Sequence, residues 1–243
     1  MLGNLNIIKE KTPELASKQL AKDLSAYLTK AKEQRKNVLF LSSGGSALAV
    51  LDFIPSDILG EYLTIGVLDE RYEKTNINNN FTQLKKTEFY KKAKKAGCSF
   101  IDTSVKEDQT QEELADFFEG ELRGWMKKNP NGKIVATMGV GADGHTSGIM
   151  PFPEDENRFI DLFESARWVV AYDAGSKNPF SQRVTTTMTF LRKLDKIFVF
   201  MVGANKKTAF LQMQKSGQIA EIPARVLKQL NVNIYIDGNL LKG

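Results

Sequence analysis

The chain holds one histidine in 243 residues, and it closes the run Met138-Gly139-Val140-Gly141-Ala142-Asp143-Gly144-His145-Thr146. The glycines at 139, 141 and 144 put His145 on a tightly turning loop and not in the interior of a helix or strand. An imidazole exchanges a proton near neutral pH, so His145 at such a position suits general acid or base work. The plainer alternative is a histidine held within its own loop. A second segment, Ser43-Gly44-Gly45-Ser46, lets backbone N–H groups approach an anion closely at a helix start, where the peptide dipoles favour negative charge. Lys206, just after Gly203, would add a full positive charge. The Gly-Gly segment is neither a phosphate-binding P-loop nor a dinucleotide fingerprint, and a simple tight turn would also use it. The third segment, Asp69-Glu70-Arg71, offers two carboxylates and a guanidinium; its bland reading is a surface charge cluster.

The elements needed to position these groups are legible around them. Thr12-Pro13-Glu14 starts a helix, followed by Leu20, Leu24, Tyr27, Leu28 and Ala31 at helical spacing. Val38-Leu39-Phe40-Leu41 is the continuous apolar run of a buried parallel strand, and it runs into residues 42–46. Residues 63–68 form a strand ending in Asp69, residues 134–138 a strand ending in the histidine loop, and residues 197–202 a strand ending in Gly203. Thr110 and Glu113 form a capping box ahead of a strong helix. Trp168 to Tyr172 is a further strand, and Val232, Ile234 and Ile236 alternate as a last, half-exposed one. Strands alternating with helices predict an α/β domain with a mainly parallel sheet and helices on both faces. Ligands bind outside the carboxyl ends of such strands, so four chemistry-bearing segments at four strand ends point to one crevice. Residues 1–243 are expected to form a single domain, with a small lid or subdomain around 145–185, where the pattern is weakest.

Composition removes several classes. Hydrophobic residues make up 42% and charged residues 26%, enough apolar side chain for a packed core. A lone cysteine, Cys98, excludes an intramolecular disulfide framework and fits a reducing, cytoplasmic setting. With one cysteine and one histidine, the chain cannot build a Cys/His zinc site. The charge, 34 Lys+Arg minus 29 Asp+Glu or +5, fits anionic metabolites, nucleic acid or acidic membranes alike. Interleaving with Phe81, Leu84, Phe89 and Tyr90 makes the lysine-rich stretch 85–95 the solvated face of a helix. Residues 1–6 lack the pattern of a secretory leader, and no apolar run reaches the ~20 residues of a membrane span. These features argue against a nucleic-acid partner and a membrane span, and the charge balance by itself selects no partner.

Residues 41–46, Asp69-Glu70-Arg71, residues 138–147 and Arg183-Val184-Thr185 resemble, in order, the motifs of the 6-phosphogluconolactonase family. That family shares a superfamily of Rossmann-like α/β folds with the glucosamine-6-phosphate deaminases. The resemblance implies that Ser43, Gly44, Gly45 and Ser46 cradle a substrate phosphate with Arg183 and Lys206, while Asp69, Arg71, Asp143 and His145 line the reacting end. It implies hydrolysis of 6-phosphoglucono-δ-lactone in the oxidative pentose phosphate pathway by a monomer or homodimer, with no metal or organic cofactor. In that chemistry His145 takes a proton from water, Asp143 or Asp69 orients the imidazole, and Arg71 meets the developing oxyanion. The chain departs from the family at Ser46-Ala47-Leu48, where Ser-Thr-Pro is usual.

Two other readings compete. A deaminase or isomerase of amino-sugar phosphates would carry a further carboxylate after the histidine, where Gly148-Ile149-Met150-Pro151 has none. A non-catalytic sugar-phosphate sensor of the regulator type would carry a DNA-binding helix-turn-helix, whereas the residues before the first predicted strand hold one amphipathic helix.

Overall fold

The computed structural model describes residues 5–241. Residues 1–4, most of the segment read for a leader, lie outside the described residues. In chain order the strands are β1 (Asn6–Glu10), β2 (Val38–Ser42), β3 (Leu63–Val67), β4 (Asp69–Arg71), β5 (Ser99–Phe100), β6 (Lys133–Gly139), β7 (Val169–Asp173), β8 (Gln182–Thr186), β9 (Lys196–Phe200) and β10 (Val232–Asp237). The helices are α1 (Pro13–Glu33), α2 (Ser46–Leu51), α3 (Asn80–Lys85), α4 (Glu88–Lys95), α5 (Gln111–Lys128), α6 (Glu156–Phe163), α7 (Met188–Leu191) and α8 (Lys207–Gln214).

Seven strands form a parallel sheet in the order β1-β10-β9-β6-β2-β3-β5. Alternate residues of each strand serve opposite faces, as the two-residue period requires. Leu39 and Leu41 pack with Phe118, Leu122, Met138 and Val199 on one face; Val38 and Phe40 pack with Leu20, Leu24, Ile65 and Phe89 on the other. Both faces are covered, which makes this the Rossmann-like α/β architecture expected from the sequence. The helix signals act as they read. The Thr12 hydroxyl accepts from the Leu15 N–H at 3.2 Å, and Thr110 and Glu113 close a reciprocal capping box.

The chain visits β2 and β3 on one side of the sheet and then β6, β9 and β10 on the other, so connections leave β2 and β6 in opposite directions. A crevice opens at this switch point, above the carboxyl ends of β2 and β6.

Three sequence expectations are corrected. The last strand is not half-exposed: β1 pairs along its outer edge, and Val232, Ile234, Tyr235 and Ile236 are all buried. Asp69-Glu70-Arg71 is not the frayed end of β3. It is a strand of a second, antiparallel sheet in the order β4-β8-β7, and its partner β8 reads too polar to announce itself. The lysine-rich stretch 85–95 is a solvated helical face, but it is shared between two helices, because Thr87 stops α3 and caps α4 by accepting from the Tyr90 N–H at 3.1 Å. Val169, Tyr172 and Val184 of the second sheet bury in the same apolar cluster as residues of β6 and β9.

Candidate active site

One cavity of about 240 Å³ lies over the switch point. Ser43, Gly44, Gly45, Ser46, Asp69, Arg71, His145, Arg183 and Lys206 all line it. Of the site residues that the resemblance implies, Asp143 alone stands behind the wall, against the imidazole.

The β2 strand delivers the first loop. Ser42 is fully buried and takes a 3.0 Å hydrogen bond from the Thr137 hydroxyl of β6, while the Ser43 N–H donates to the Thr137 carbonyl at 2.9 Å. The chain then turns through Gly44 and Gly45 into α2. The Ser43 hydroxyl is buried with no hydrogen-bond partner among the described residues. A buried hydroxyl left without a partner costs free energy unless something else supplies one.

The β6 strand delivers the second loop. The Gly141 N–H donates to the His145 carbonyl at 2.9 Å, closing the turn. A side chain at Gly141 would put its Cβ 2.1 Å from His145 Nδ1, so only glycine lets the ring lie back against the loop. Asp143 Oδ1 sits 2.6 Å from His145 Nδ1 and also accepts from the His145 backbone N–H at 3.1 Å. Burial alone would raise the Asp143 carboxyl, but these hydrogen bonds and the nearby imidazole charge outweigh it and hold it below the usual carboxylate range. With Nδ1 bound to the carboxylate, Nε2 is the nitrogen left to accept a proton. Asp143, and not Asp69, therefore holds the ring.

Asp69 is committed elsewhere. Its carboxylate pairs with the Arg183 guanidinium, and the two side chains are 5% and 6% exposed. It also accepts from Asn80 Nδ2 at 3.2 Å. Arg71 lies opposite Arg183 in the β4–β8 ladder. Burial first, and then the neighbouring Arg183 charge, lower the Arg71 guanidinium from its ordinary value. The Nε atoms of both arginines are buried without partners among the described residues. Burial likewise lowers the Lys206 ammonium. The cavity thus gathers three cations against one lining carboxylate, an arrangement that favours an anionic ligand.

Sequence reasoning missed the support beneath these groups. Asn80 lines the cavity at the start of α3, and its Nδ2 donates to the Asp69 carbonyl at 2.8 Å. Its Oδ1 occupies the space a Cβ on Gly44 would need, so Gly44 and Asn80 are packed as a pair. Glu70 fixes that placement. Buried completely, it accepts from the backbone N–H groups of Arg71 at 2.8 Å, of Asn80, and of Phe81 at 2.9 Å, and it hydrogen-bonds the Thr103 hydroxyl at 3.1 Å. Burial pushes its carboxyl up to about 8 against the pull of those donors. Ser147 also lines the cavity, held by the Thr186 hydroxyl at 3.0 Å. The doubled Asn79-Asn80 is visible in the sequence, but only the folding back of β4 gives it a site.

Among the described residues no group of three or more His, Cys, Asp or Glu is placed to hold a metal ion, and no helix is long and apolar enough to cross a membrane.

The profile of a family described as Glucosamine-6-phosphate isomerases/6-phosphogluconolactonase matches residues 11–236. The chain is similar to a probable 6-phosphogluconolactonase of Dictyostelium discoideum, with 22% identity over 204 residues that cover 80% of this chain and 81% of that one. Its fold is similar to the crystal structure of a 6-phosphogluconolactonase from Shewanella baltica, with a TM-score of 0.80, 21% identity and coverage of 98% and 100%. It is also similar to 6-phosphogluconolactonase from Trypanosoma brucei, with a TM-score of 0.74, 18% identity and 98% of each chain covered.

Proposed function

The chain belongs to the family of glucosamine-6-phosphate isomerases and 6-phosphogluconolactonases, and from that premise we propose that it hydrolyses 6-phosphoglucono-δ-lactone to 6-phosphogluconate. The observation that carries the hydrolytic reading is the Asp143–His145 contact at 2.6 Å, which leaves Nε2 free to act as a base beside a cavity rich in cations. Nε2 takes a proton from water as the water oxygen attacks the lactone carbonyl. The tetrahedral intermediate carries its negative charge beside Arg71, whose guanidinium has no carboxylate among the described residues to release first. As the ring C–O bond breaks, the imidazolium returns its proton to the departing ring oxygen, and the acid product ionises. The residue 43–46 loop, Arg183 and Lys206 take the substrate phosphate, which fits the unpartnered Ser43 hydroxyl and the half-buried ammonium. The same reading makes this a cytoplasmic enzyme of the oxidative pentose phosphate pathway, acting on a small sugar phosphate.

The test is a coupled assay with freshly generated 6-phosphogluconolactone, corrected for spontaneous hydrolysis. Saturable acceleration is expected. A rate no faster than the uncatalysed one would sink the reading.

A further inference from the structure

Arg71 carries a half-buried charge that no carboxylate among the described residues pairs with directly. The acidic groups near it are all engaged: Asp69 with Arg183, Glu70 with three backbone N–H groups, and Glu73 with Asn78 Nδ2 at 3.0 Å. Its one polar side-chain contact among the described residues, from Nη1 to the Asn78 carbonyl, is 3.5 Å long, at the outer edge of a hydrogen bond. Arg71 Cζ lies over the ring of Phe180, 4.4 Å from the ring centroid.

The fold holds the backbone that carries this ring. Phe180 lies on the connection between β7 and β8. The Ala174 N–H donates to the Ser181 carbonyl at 2.8 Å, closing this loop, and the Phe180 N–H donates to Asn178 Oδ1 at 3.0 Å. The Tyr72 N–H donates to the Gln182 carbonyl at 2.9 Å, which ties the loop's far end to the residue after Arg71. A guanidinium keeps all five N–H donors in its own plane, so a ring against its face stabilises the charge and consumes none of them. A carboxylate in the same place would occupy two donors and compete with an anionic ligand.

We propose that Phe180 is a positioning residue, one that holds Arg71 by its face so that the in-plane donors stay free for the oxygen that becomes negative in the reaction. The proposal rests on the placement of Arg71 at the reacting end. Phe180→Leu keeps an apolar side chain and removes the ring. It is expected to lower kcat/KM about tenfold, the effect of one partly desolvated cation–π contact, with kcat falling more than KM. Phe180→Tyr should restore the activity. In an Arg71→Ala background, Phe180→Leu should change nothing further. An equal loss in both backgrounds, or no loss in either, would overturn the proposal.

A second measurement needs no turnover. The ring should shift the Arg71 Nε–H proton resonance upfield, and Phe180→Leu should abolish that shift. A resonance unmoved by the substitution would also overturn the proposal. Because this readout is independent of the lactone, failure of the stacking and failure of the lactonase reading are told apart.

Discussion

Arg71 and Arg183 face each other directly across the antiparallel β4–β8 pair, and Asp69 pairs with only one of them. Like charges opposite one another destabilise a strand pair. Here Arg183 is paired within the fold even though it lines the cavity, while Arg71 has no carboxylate partner among the described residues. Arg183 thus serves stability as well as facing a ligand, and Arg71 is a charge the fold can do without.

The two substitutions should therefore separate. Asp69→Asn leaves the buried Arg183 without a counterion and is expected to cost about 3–5 kcal/mol of stability. Arg71→Ala breaks no ion pair and should change stability by less than about 1 kcal/mol. Urea unfolding of both variants checks this; equal losses would contradict the division.

His145→Ala is expected to lower kcat by about 10²–10⁴-fold, the usual contribution of a positioned general base. Asp143→Asn should give a smaller loss, because the ring survives but its tautomer is no longer fixed by a carboxylate. Both variants should unfold close to the wild-type denaturant midpoint, since both side chains are partly exposed. Steady-state kinetics alongside an unfolding curve decides this, and a fully active His145→Ala enzyme would remove the imidazole from the mechanism.

Glu70 gives a pH dependence with a defined sign. Its ordinary value is 4.5, and burial raises it to about 8 in the folded protein. Between those values the folded state holds a proton that the unfolded chain has released. Stability from this group is thus complete below pH 4.5 and is lost as pH rises toward 8. The loss is of order a few kcal/mol, at roughly 1.4 kcal/mol per pKa unit. The neutral acid fits its surroundings, with Oε2–H able to donate to Thr103 while both oxygens still accept backbone N–H groups. Glu70→Gln should flatten the difference in unfolding free energy between pH 5.5 and pH 8.5. It should also lower stability by about 1–3 kcal/mol, because the amide N–H₂ would oppose the Phe81 N–H.

How much the sequence reveals depends on how local each signal is. β2, β6 and β9 are continuous apolar runs, so their ends, and with them Ser43, His145 and Lys206, are legible from the residues alone. β4 has three residues and β8 reads Gln-Arg-Val-Thr-Thr, neither of which carries a strand pattern. Their pairing joins positions more than a hundred residues apart, so the Arg71–Arg183 juxtaposition has no sequence signature. Asn80 and Glu70 are hidden for the same reason: Glu70 looks like one charge in a cluster until β4 turns it into the core. Phe180 sits in a short, mostly polar connection where nothing in the local pattern predicts stacking.

Asn80→Ala tests the support beneath the residue 43–46 loop. It removes a donor to the Asp69 carbonyl and carboxylate and opens space against Gly44. A rise in KM of about tenfold is expected, equivalent to one lost buried hydrogen bond of about 1.4 kcal/mol. Isothermal titration with 6-phosphogluconate should show the same loss of affinity. Unchanged binding would mean that Asn80 serves the fold alone.

The chain should release little ammonia from glucosamine 6-phosphate. Deamination with isomerisation needs one base to move a proton between C1 and C2 and a second acid–base group to assist ring opening. Asp69 is the one carboxylate lining the cavity among the described residues, and Arg183 and Asn80 already hold it. Asp143 is occupied with the imidazole. After His145 the chain offers Thr146, whose hydroxyl donates to the Gly139 carbonyl at 2.8 Å, and Ser147, whose hydroxyl is bonded to Thr186. The next carboxylate, Glu154, is paired with Lys177 outside the cavity. Lactone hydrolysis asks less, since one activated water and charge stabilisation at one carbonyl suffice. Arg71, which the proposed mechanism puts at the reacting end, favours it further, because a guanidinium beside the reacting carbon stabilises an oxyanion and repels a departing ammonium. Ammonia release and lactone hydrolysis measured on one preparation should therefore differ strongly in kcat/KM in favour of the lactone, and a deaminase value equal to or above the lactonase value would reverse the assignment within the family.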